Sequence, residues 1–288
     1  MNVFFDKVAI IGVGLLGGSI GLALKARRMC GTVVGMGRRH ASLKAALDAG
    51  AIDEALPDFS AAGADLVVVC TPVGSVAGLV AEIECTLDDG CVVTDVGSTK
   101  GGIVYEIERM RRAGRRFVGS HPLAGSEKKG VQHASADLFE GATVFMTPTP
   151  ATDRTVAARV REMWEALGGA VLEMEPEAHD RIVAKTSHLP HVVAALLVAG
   201  LRTLENDVTR FVGKGFLDTT RIASSDPEMW ADICMNNMAE IREAMAMLRE
   251  DLEEFDLFLS EGGYEKVLEF LKSTKSVRDS LNQRKSDD

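Results

Sequence analysis

Along the first 175 residues, short runs of β-branched and other apolar residues recur at Val8–Ile11, Thr32–Val34, Leu66–Cys70, Cys91–Thr94, Phe117–Gly119, Thr143–Met146 and Val171–Met174. Between most of them the apolar positions fall at helical spacing, over Ser19–Arg27, Ala41–Ala49, Val76–Leu87 and Lys100–Arg112. Strands alternating with helices make βαβ units, and such units build a mainly parallel sheet covered by helices. The pattern predicts a doubly wound α/β domain over residues 1–173.

After Pro176 the strand-like runs stop, and residues 174–288 read as an all-helical second domain. From Met238 the apolar positions Met238, Ile241, Met245, Leu248, Leu252, Phe255 and Leu259 step by three and four. They form a narrow apolar seam on one long helix. Such a seam serves either as a core stripe within the chain or as a helix–helix dimer contact, and spacing does not separate the two. The polar stretch Ser273–Asp288 is expected to fray.

Composition adds limits. With 288 residues, 46% of them hydrophobic and 26% charged, the chain can bury a core of domain size. A net charge of −10 argues against general affinity for nucleic acid or anionic membrane, while leaving room for a local cationic cleft. The five cysteines are odd in number and lack metal-ligand spacing, which suits a reducing cytoplasm. Asp6 interrupts any secretion-type apolar region, and the run Val192–Leu201 has about half the length of a membrane span. A soluble cytoplasmic protein is expected.

Candidate chemistry begins directly after the first strand. In Val8-Ala-Ile-Ile-Gly12-Val-Gly14-Leu15-Leu16-Gly17, Gly12 permits a tight turn and Gly14 lets a pyrophosphate approach the backbone. Gly17 lets helix and strand pack closely, and the helix N-terminus faces the phosphates. In this βαβ context the motif predicts a Rossmann-type dinucleotide site. The second strand ends Val33-Val34-Gly35-Met36-Gly37-Arg38-Arg39, without the carboxylate that would hold the ribose 2′-hydroxyl of NAD. Arg38 and Arg39 instead supply forks for a 2′-phosphate, so NADP is the expected cofactor, with NAD possible.

Ligands in such sheets bind beyond the carboxyl ends of the strands. Those ends carry Thr71-Pro72, Asp95-Val-Gly97-Ser98-Thr99-Lys100 and Ser120-His121-Pro122. Thr71 and Pro72 make a turn suited to a nicotinamide or ribose, and Ser98 and His121 are expected on neighbouring strand ends. In the helical domain, Ser187, His188 and His191 share a helix face. Two histidines on one face suit a metal, but no further ligand cluster accompanies them, and none is expected. Arg221 follows Gly215 and Asp218 and is suited to a carboxylate.

Taken together, Gly12–Gly17, Thr94-Asp-Val-Gly-Ser98-Thr-Lys100, Gly119-Ser-His121-Pro-Leu-Ala-Gly125, Ser187-His-Leu-Pro-His191 and Phe216-Leu-Asp218-Thr-Thr-Arg221 resemble the TyrA family. These are the prephenate and arogenate dehydrogenases of tyrosine biosynthesis. The resemblance covers nearly the whole chain. It implies oxidative decarboxylation of prephenate to 4-hydroxyphenylpyruvate, with arogenate dehydrogenase or dual specificity as alternatives. It further implies His121 as the catalytic histidine, Ser98 as its orienting partner, and His191, Ser187 and Arg221 as substrate ligands. Glu127 and Asp218 fall on acidic positions of a polar network at the entrance. Trp230 matches an aromatic that reaches across a dimer in relatives, or is simply packed in its own chain. A homodimer through the helical domain is implied. A non-catalytic NADP-binding sensor is the alternative from another class, and the full set Ser98, His121, His191 and Arg221 argues against it.

Overall fold

A computed structural model describes residues 4–125, 128–203 and 210–284. The chain divides into two compact units, Met1–Met238 and Ala239–Asp288. In the first, β1 (Phe5–Ile11), α1 (Leu15–Ala26), β2 (Cys30–Met36), α2 (His40–Asp48) and β3 (Glu54–Leu56) are followed by β4 (Leu66–Val69), α3 (Val76–Ile83), β5 (Val92–Asp95) and α4 (Gly101–Glu108). Next come β6 (Phe117–Pro122), β7 (Thr143–Thr147), α5 (Arg154–Ala166) and β8 (Ala170–Glu173).

The eight strands form one sheet in the order β3-β2-β1-β4-β5-β6-β7-β8. All neighbours run parallel except β6 and β7, where His121 pairs with Phe145. The order reverses between β1 and β4, which places the glycine loop at the switch point where α/β sheets bind ligands.

Successive residues of each central strand enter opposite cores. Val8 and Ile10, Leu66 and Val68 pack on one face with α1 and the Val156, Val160 and Trp164 side of α5. Ala9 and Ile11, Val67 and Val69 pack on the other with Val76, Val80 and Ile83 of α3 and Ile103 and Ile107 of α4. Central strands buried on both faces read as continuous apolar runs, which is why the pattern was visible in the sequence. Truncating the fully buried Ile10, Ile11, Leu66 or Ile83 to Ala would cost about 2–5 kcal/mol.

Beyond β8, α6 (Pro176–Val183) leads through a π-helical turn (Ala184–His188) into α7 (Leu189–Gly200). Pro190 lacks the amide proton that the helix register needs at this point, and the widened turn absorbs the mismatch. Pro176–Gly200 is long and apolar enough to cross a membrane by composition alone. Its inward residues His179, Asp180, His188 and His191 are nevertheless buried; His179 bonds to His121 of the sheet, and Asp180 accepts from the Lys100 amide at the start of α4. Shorter helices α8 (Lys214–Thr220) and α9 (Pro227–Asn236) complete this unit. The second unit contains α10 (Met238–Ser260) and α11 (Tyr264–Arg284), with Phe255 of one edge-on to Phe270 of the other.

The stretch from Ser273, expected to fray, continues α11 as helix to Arg284 with Val277 and Leu281 exposed, and residues 285–288 lie outside the described residues. Of the seam on α10, Ile241 is buried whereas Met245, Leu252 and Leu259 are exposed in the single chain.

Candidate active site

The glycine loop leaves β1 with Gly12 at φ +95°, a conformation that side chains resist. A Cβ on Gly12 would lie 2.7 Å from the Cys70 carbonyl oxygen, and one on Gly17 would lie 2.2 Å from the Gly12 carbonyl oxygen. A Cβ on Gly14 would meet no atom of the chain within 4 Å. The chain's own packing therefore explains two of the glycines. Bare backbone at the third, beside the half-buried Leu15 and Leu16 that open α1, fits close approach by a dinucleotide pyrophosphate. Arg38 and Arg39 are exposed just past β2, and the Arg38 guanidinium lies 6.0 Å from the centre of the Phe59 ring. Thr71 and Pro72 form the turn after β4, closed by Ser75, whose hydroxyl lies 2.9 Å from Thr71 Oγ1 and donates to the Pro72 carbonyl at 2.8 Å. The Gly74 amide donates to the carboxylate of Asp232 on α9 at 3.0 Å, tying this turn to the helices.

β5 and β6 are neighbours, and their ends are joined by side chains. Asp95 accepts from the amides of Ser120 at 3.0 Å and Gly97 at 2.8 Å, and it forms an ion pair with Lys100; both side chains are fully buried. Burial pushes the Lys100 ammonium below its ordinary range, and Asp95 opposes that shift. Thr94 adds a hydroxyl contact to Ser120 at 2.8 Å. This network fixes the loop that carries the half-buried Ser98 beside the strand that carries His121. The sequence placed His121 after its strand; it lies within β6, which gives it a more rigid support.

His121 is 8% exposed and lines a cavity of about 1020 Å³, together with Gly125, Ser187, Phe216, Arg221 and Trp230. Burial, with His179, Lys100 and His188 adding to it, pushes the His121 imidazole well below its usual range, so it is neutral at neutral pH. A neutral imidazole in a cleft that also holds a guanidinium can take a proton from a substrate whose anionic groups are bound nearby.

Ser187, His121 and Arg221 thus share one cavity, which Ser98 and His191 do not line. His191 is buried on α7 with its ring stacked on Trp230, centroids 3.5 Å apart and planes 8° from parallel. Trp230 therefore packs on its own chain. His188 accepts a hydrogen bond at Nδ1 from Asn237 Nδ2 at 3.1 Å and meets Trp230 edge-on. Among the described residues, three buried nitrogens of this cluster, His188 Nε2, His191 Nδ1 and Trp230 Nε1, have no hydrogen-bond partner. Buried polar atoms are normally paired, so the grouping of these three beside the cavity-lining Trp230 sets this cluster apart. Asp218 is exposed on α8 and does not line the cavity. Glu127 lies outside the described residues.

Sequence reasoning missed His179 and Asp180. His179 Nε2 lies 2.9 Å from His121 Nδ1, and its Nδ1 lies 2.8 Å from Asp180 Oδ1. The partners are 58 residues apart. Pro176–Val183 reads as an ordinary amphipathic helix, so no local signal marked them.

Comparison with known proteins agrees with this arrangement. Residues 20–173 match the family model of the prephenate dehydrogenase nucleotide-binding domain, and residues 175–273 match that of the prephenate dehydrogenase dimerization domain. The chain is 34% identical to the prephenate dehydrogenase of Bacillus subtilis, over 99% of this chain and 78% of that protein. It is 30% identical to the cyclohexadienyl dehydrogenase of Zymomonas mobilis, over 95% of each. The fold superposes with a TM-score of 0.91 on prephenate dehydrogenase from A. aeolicus, solved in complex with hydroxyphenyl propionate and NAD+, at 36% identity over 98% of this chain and all of that one. With both halves matched in order over nearly the whole chain, the chain belongs to the prephenate dehydrogenase family.

Proposed function

We propose that the chain oxidises and decarboxylates prephenate to 4-hydroxyphenylpyruvate with NADP as acceptor, acting as a cytoplasmic homodimer. The observation that carries the reading is the neutral, buried His121 in the wall of a cavity that also contains Arg221. A cavity of this size exceeds what one small dicarboxylate needs and leaves room for part of a cofactor.

In this reading Gly12, Gly14, Leu15, Leu16 and Gly17 hold the pyrophosphate, Arg38 and Arg39 the 2′-phosphate, and Thr71 and Pro72 border the nicotinamide ribose. When bound, the oxidised nicotinamide supplies the acceptor for the hydride that leaves C4 of the substrate ring. His121 takes the proton of the C4 hydroxyl, and Ser98 orients that hydroxyl. The bond between the ring and its carboxylate then breaks, carbon dioxide leaves, and the electron pair completes the aromatic ring. Arg221 anchors a carboxylate, and Ser187 and His191 bind the remaining polar groups. By the family resemblance Glu127, which lies outside the described residues, and Asp218, which is exposed on α8 and does not line the cavity, would contribute acidic groups near the substrate. General-base assistance of this kind contributes about 10²–10⁴-fold.

Prephenate is favoured over arogenate because the groups placed around His191 are neutral. Burial lowers the His191 imidazole below its usual range, so it offers one N–H to a keto or carboxylate oxygen and no negative charge to an ammonium. Residues 1–173 form the cofactor domain and 174–288 the substrate and dimerisation domain. The exposed apolar residues Met245, Leu252 and Leu259 on α10 suit a second copy of the chain.

The test is the initial rate of reduced-cofactor formation with prephenate and NADP+, repeated with NAD+ and with arogenate. Strong turnover with prephenate and NADP+ is expected. Turnover with arogenate alone would replace the substrate, and full activity in His121→Asn would remove the assigned base.

A further inference from the structure

His121 meets a second histidine, which in turn meets a carboxylate, and the hydrogen bonds along this chain have a direction. Three N–H groups converge on Asp180. Its Oδ1 accepts from the Lys100 amide at 2.7 Å and lies 2.8 Å from His179 Nδ1, and its Oδ2 accepts from the Gly101 amide at 2.8 Å. Lys100 and Gly101 open α4, whose N-terminal end favours an anion. Asn237 Nδ2 holds the Asp180 carbonyl at 2.9 Å, so the residue is fixed through main chain and side chain alike.

A carboxylate only accepts hydrogen bonds, so the proton between His179 and Asp180 sits on His179 Nδ1. A neutral His179 then has a lone pair at Nε2. The proton in the 2.9 Å contact with His121 must in consequence come from His121 Nδ1, which leaves His121 Nε2 as the bare, basic nitrogen. The His121 ring lines the cavity while its Nδ1 is turned toward His179. Phe145 packs against both rings and keeps water from the pair.

We infer that His179 and Asp180 are positioning residues for the reaction: they hold His121 in the tautomer with its proton on Nδ1, and they accept the positive charge it acquires. When Nε2 of His121 takes the hydroxyl proton of the substrate, the Nδ1 proton moves to Nε2 of His179. His179 becomes the imidazolium, hydrogen-bonded to Asp180, and His121 is neutral again. One proton enters the chain and none is lost. This extends the assignment of His121 as base and rests on it.

The surrounding charges fit. The groups facing the two rings are Asp95 at the end of β5, Lys100 at the start of α4, Asp180 from α6 and His188 from the π-helical turn. Burial and Lys100 lower both imidazoles, whereas Asp180 and Asp95 raise His179 alone, which makes His179 the better resting place for the added proton.

The first experiment reads the tautomers directly, by long-range proton–nitrogen correlation spectra of the wild-type protein labelled with ¹⁵N-histidine, assigned with His121→Asn. His121 protonated at Nδ1 and bare at Nε2 is expected; protonation at Nε2 would overturn the proposal without any reference to activity. The second uses His179→Phe, His179→Gln and Asp180→Asn. His179→Phe removes the acceptor, and kcat is expected to fall about 10²–10⁴-fold with KM within about threefold, as when a catalytic histidine loses its tautomer. In His179→Gln the amide oxygen again accepts from His121 Nδ1, and kcat should recover at least tenfold over the Phe variant. Asp180→Asn should shift the acid limb of the kcat/KM profile to lower pH, because the protonated pair loses its counter-charge. A Gln variant no better than Phe, or an unmoved acid limb, would reduce both residues to packing. Loss of His121 as base would show instead as an active His121→Asn enzyme, a result that leaves the tautomer measurement standing.

Discussion

The indole of Trp230 lies flat on the imidazole of His191, centroids 3.5 Å apart and planes 8° from parallel. α9 thereby fixes the ring plane of His191 on α7, the residue proposed to bind substrate. A stacked aromatic pair contributes about 0.5–1.5 kcal/mol beyond its buried area, and 1.4 kcal/mol is about tenfold in affinity. Trp230→Ala is therefore expected to raise KM for prephenate roughly tenfold while kcat changes much less, and Trp230→Phe should restore most of the loss. Steady-state kinetics of the two variants check this; an unchanged KM in Trp230→Ala would make the stack incidental.

His188 offers a pH prediction. Burial, with His179 and His191 adding to it and Asp180 opposing, pushes its imidazole down to about 4 from the usual 6.5. Above pH 6.5 the folded and unfolded chains are both neutral at this position. As pH falls below 6.5 the unfolded chain takes up a proton that the folded chain refuses, and stability drops until about pH 4. A shift of this size corresponds to roughly 3 kcal/mol. In His188→Asn the amide oxygen still accepts from Asn237 Nδ2, and the titration is gone. Thermal unfolding from pH 7 to 4 should show a shallower fall of Tm for the variant than for the wild type. Identical slopes would assign the acid sensitivity to other groups.

What could be read in the sequence was local. The central strands are apolar on both faces, so they stood out, and the glycine loop was visible because its requirements lie within six residues. β3 was missed because Glu54-Ala-Leu56 is three residues long and begins with a charge. The reversed direction of β7 had no signal, since Thr143–Thr147 looks the same in either orientation. The site divided along the same line. His121, Ser187 and Arg221, which line one cavity, sit in sequence motifs, whereas the contact of His121 with His179 spans 58 residues and depends on how α6 lies against the sheet.

The three loop glycines separate folding from cofactor binding. In Gly17→Ala the new methyl would lie 2.2 Å from the Gly12 carbonyl oxygen, a backbone atom, so helix and loop must move apart. Overpacking of this kind costs about 1–3 kcal/mol, and Tm should fall along with cofactor affinity. In Gly14→Ala the methyl meets nothing within 4 Å, so no backbone atom has to move to make room for it. Tm should fall less than in Gly17→Ala while the Kd for NADP+ rises at least tenfold. Thermal melts and calorimetric titrations of both variants check the contrast, and normal NADP+ binding by Gly14→Ala would place the cofactor elsewhere.

Arg38 and Arg39 follow a β2 that ends at Met36 and is followed by Gly37, with no carboxylate to receive a ribose hydroxyl. Phe59, half-buried in the core beneath, lies 6.0 Å from the Arg38 guanidinium and restrains it through a cation–π contact. A charge-assisted contact to a phosphate contributes about 1.5–3 kcal/mol. Replacing both arginines with alanine should therefore weaken NADP+ binding by roughly two orders of magnitude and leave NAD+ binding nearly unchanged. Phe59→Ala should produce a smaller loss in the same direction, because the guanidinium keeps its charge and loses only its support. Dissociation constants for the two cofactors, measured without substrate, decide the matter. Equal losses for NADP+ and NAD+ would show that the arginines do not read the 2′-phosphate.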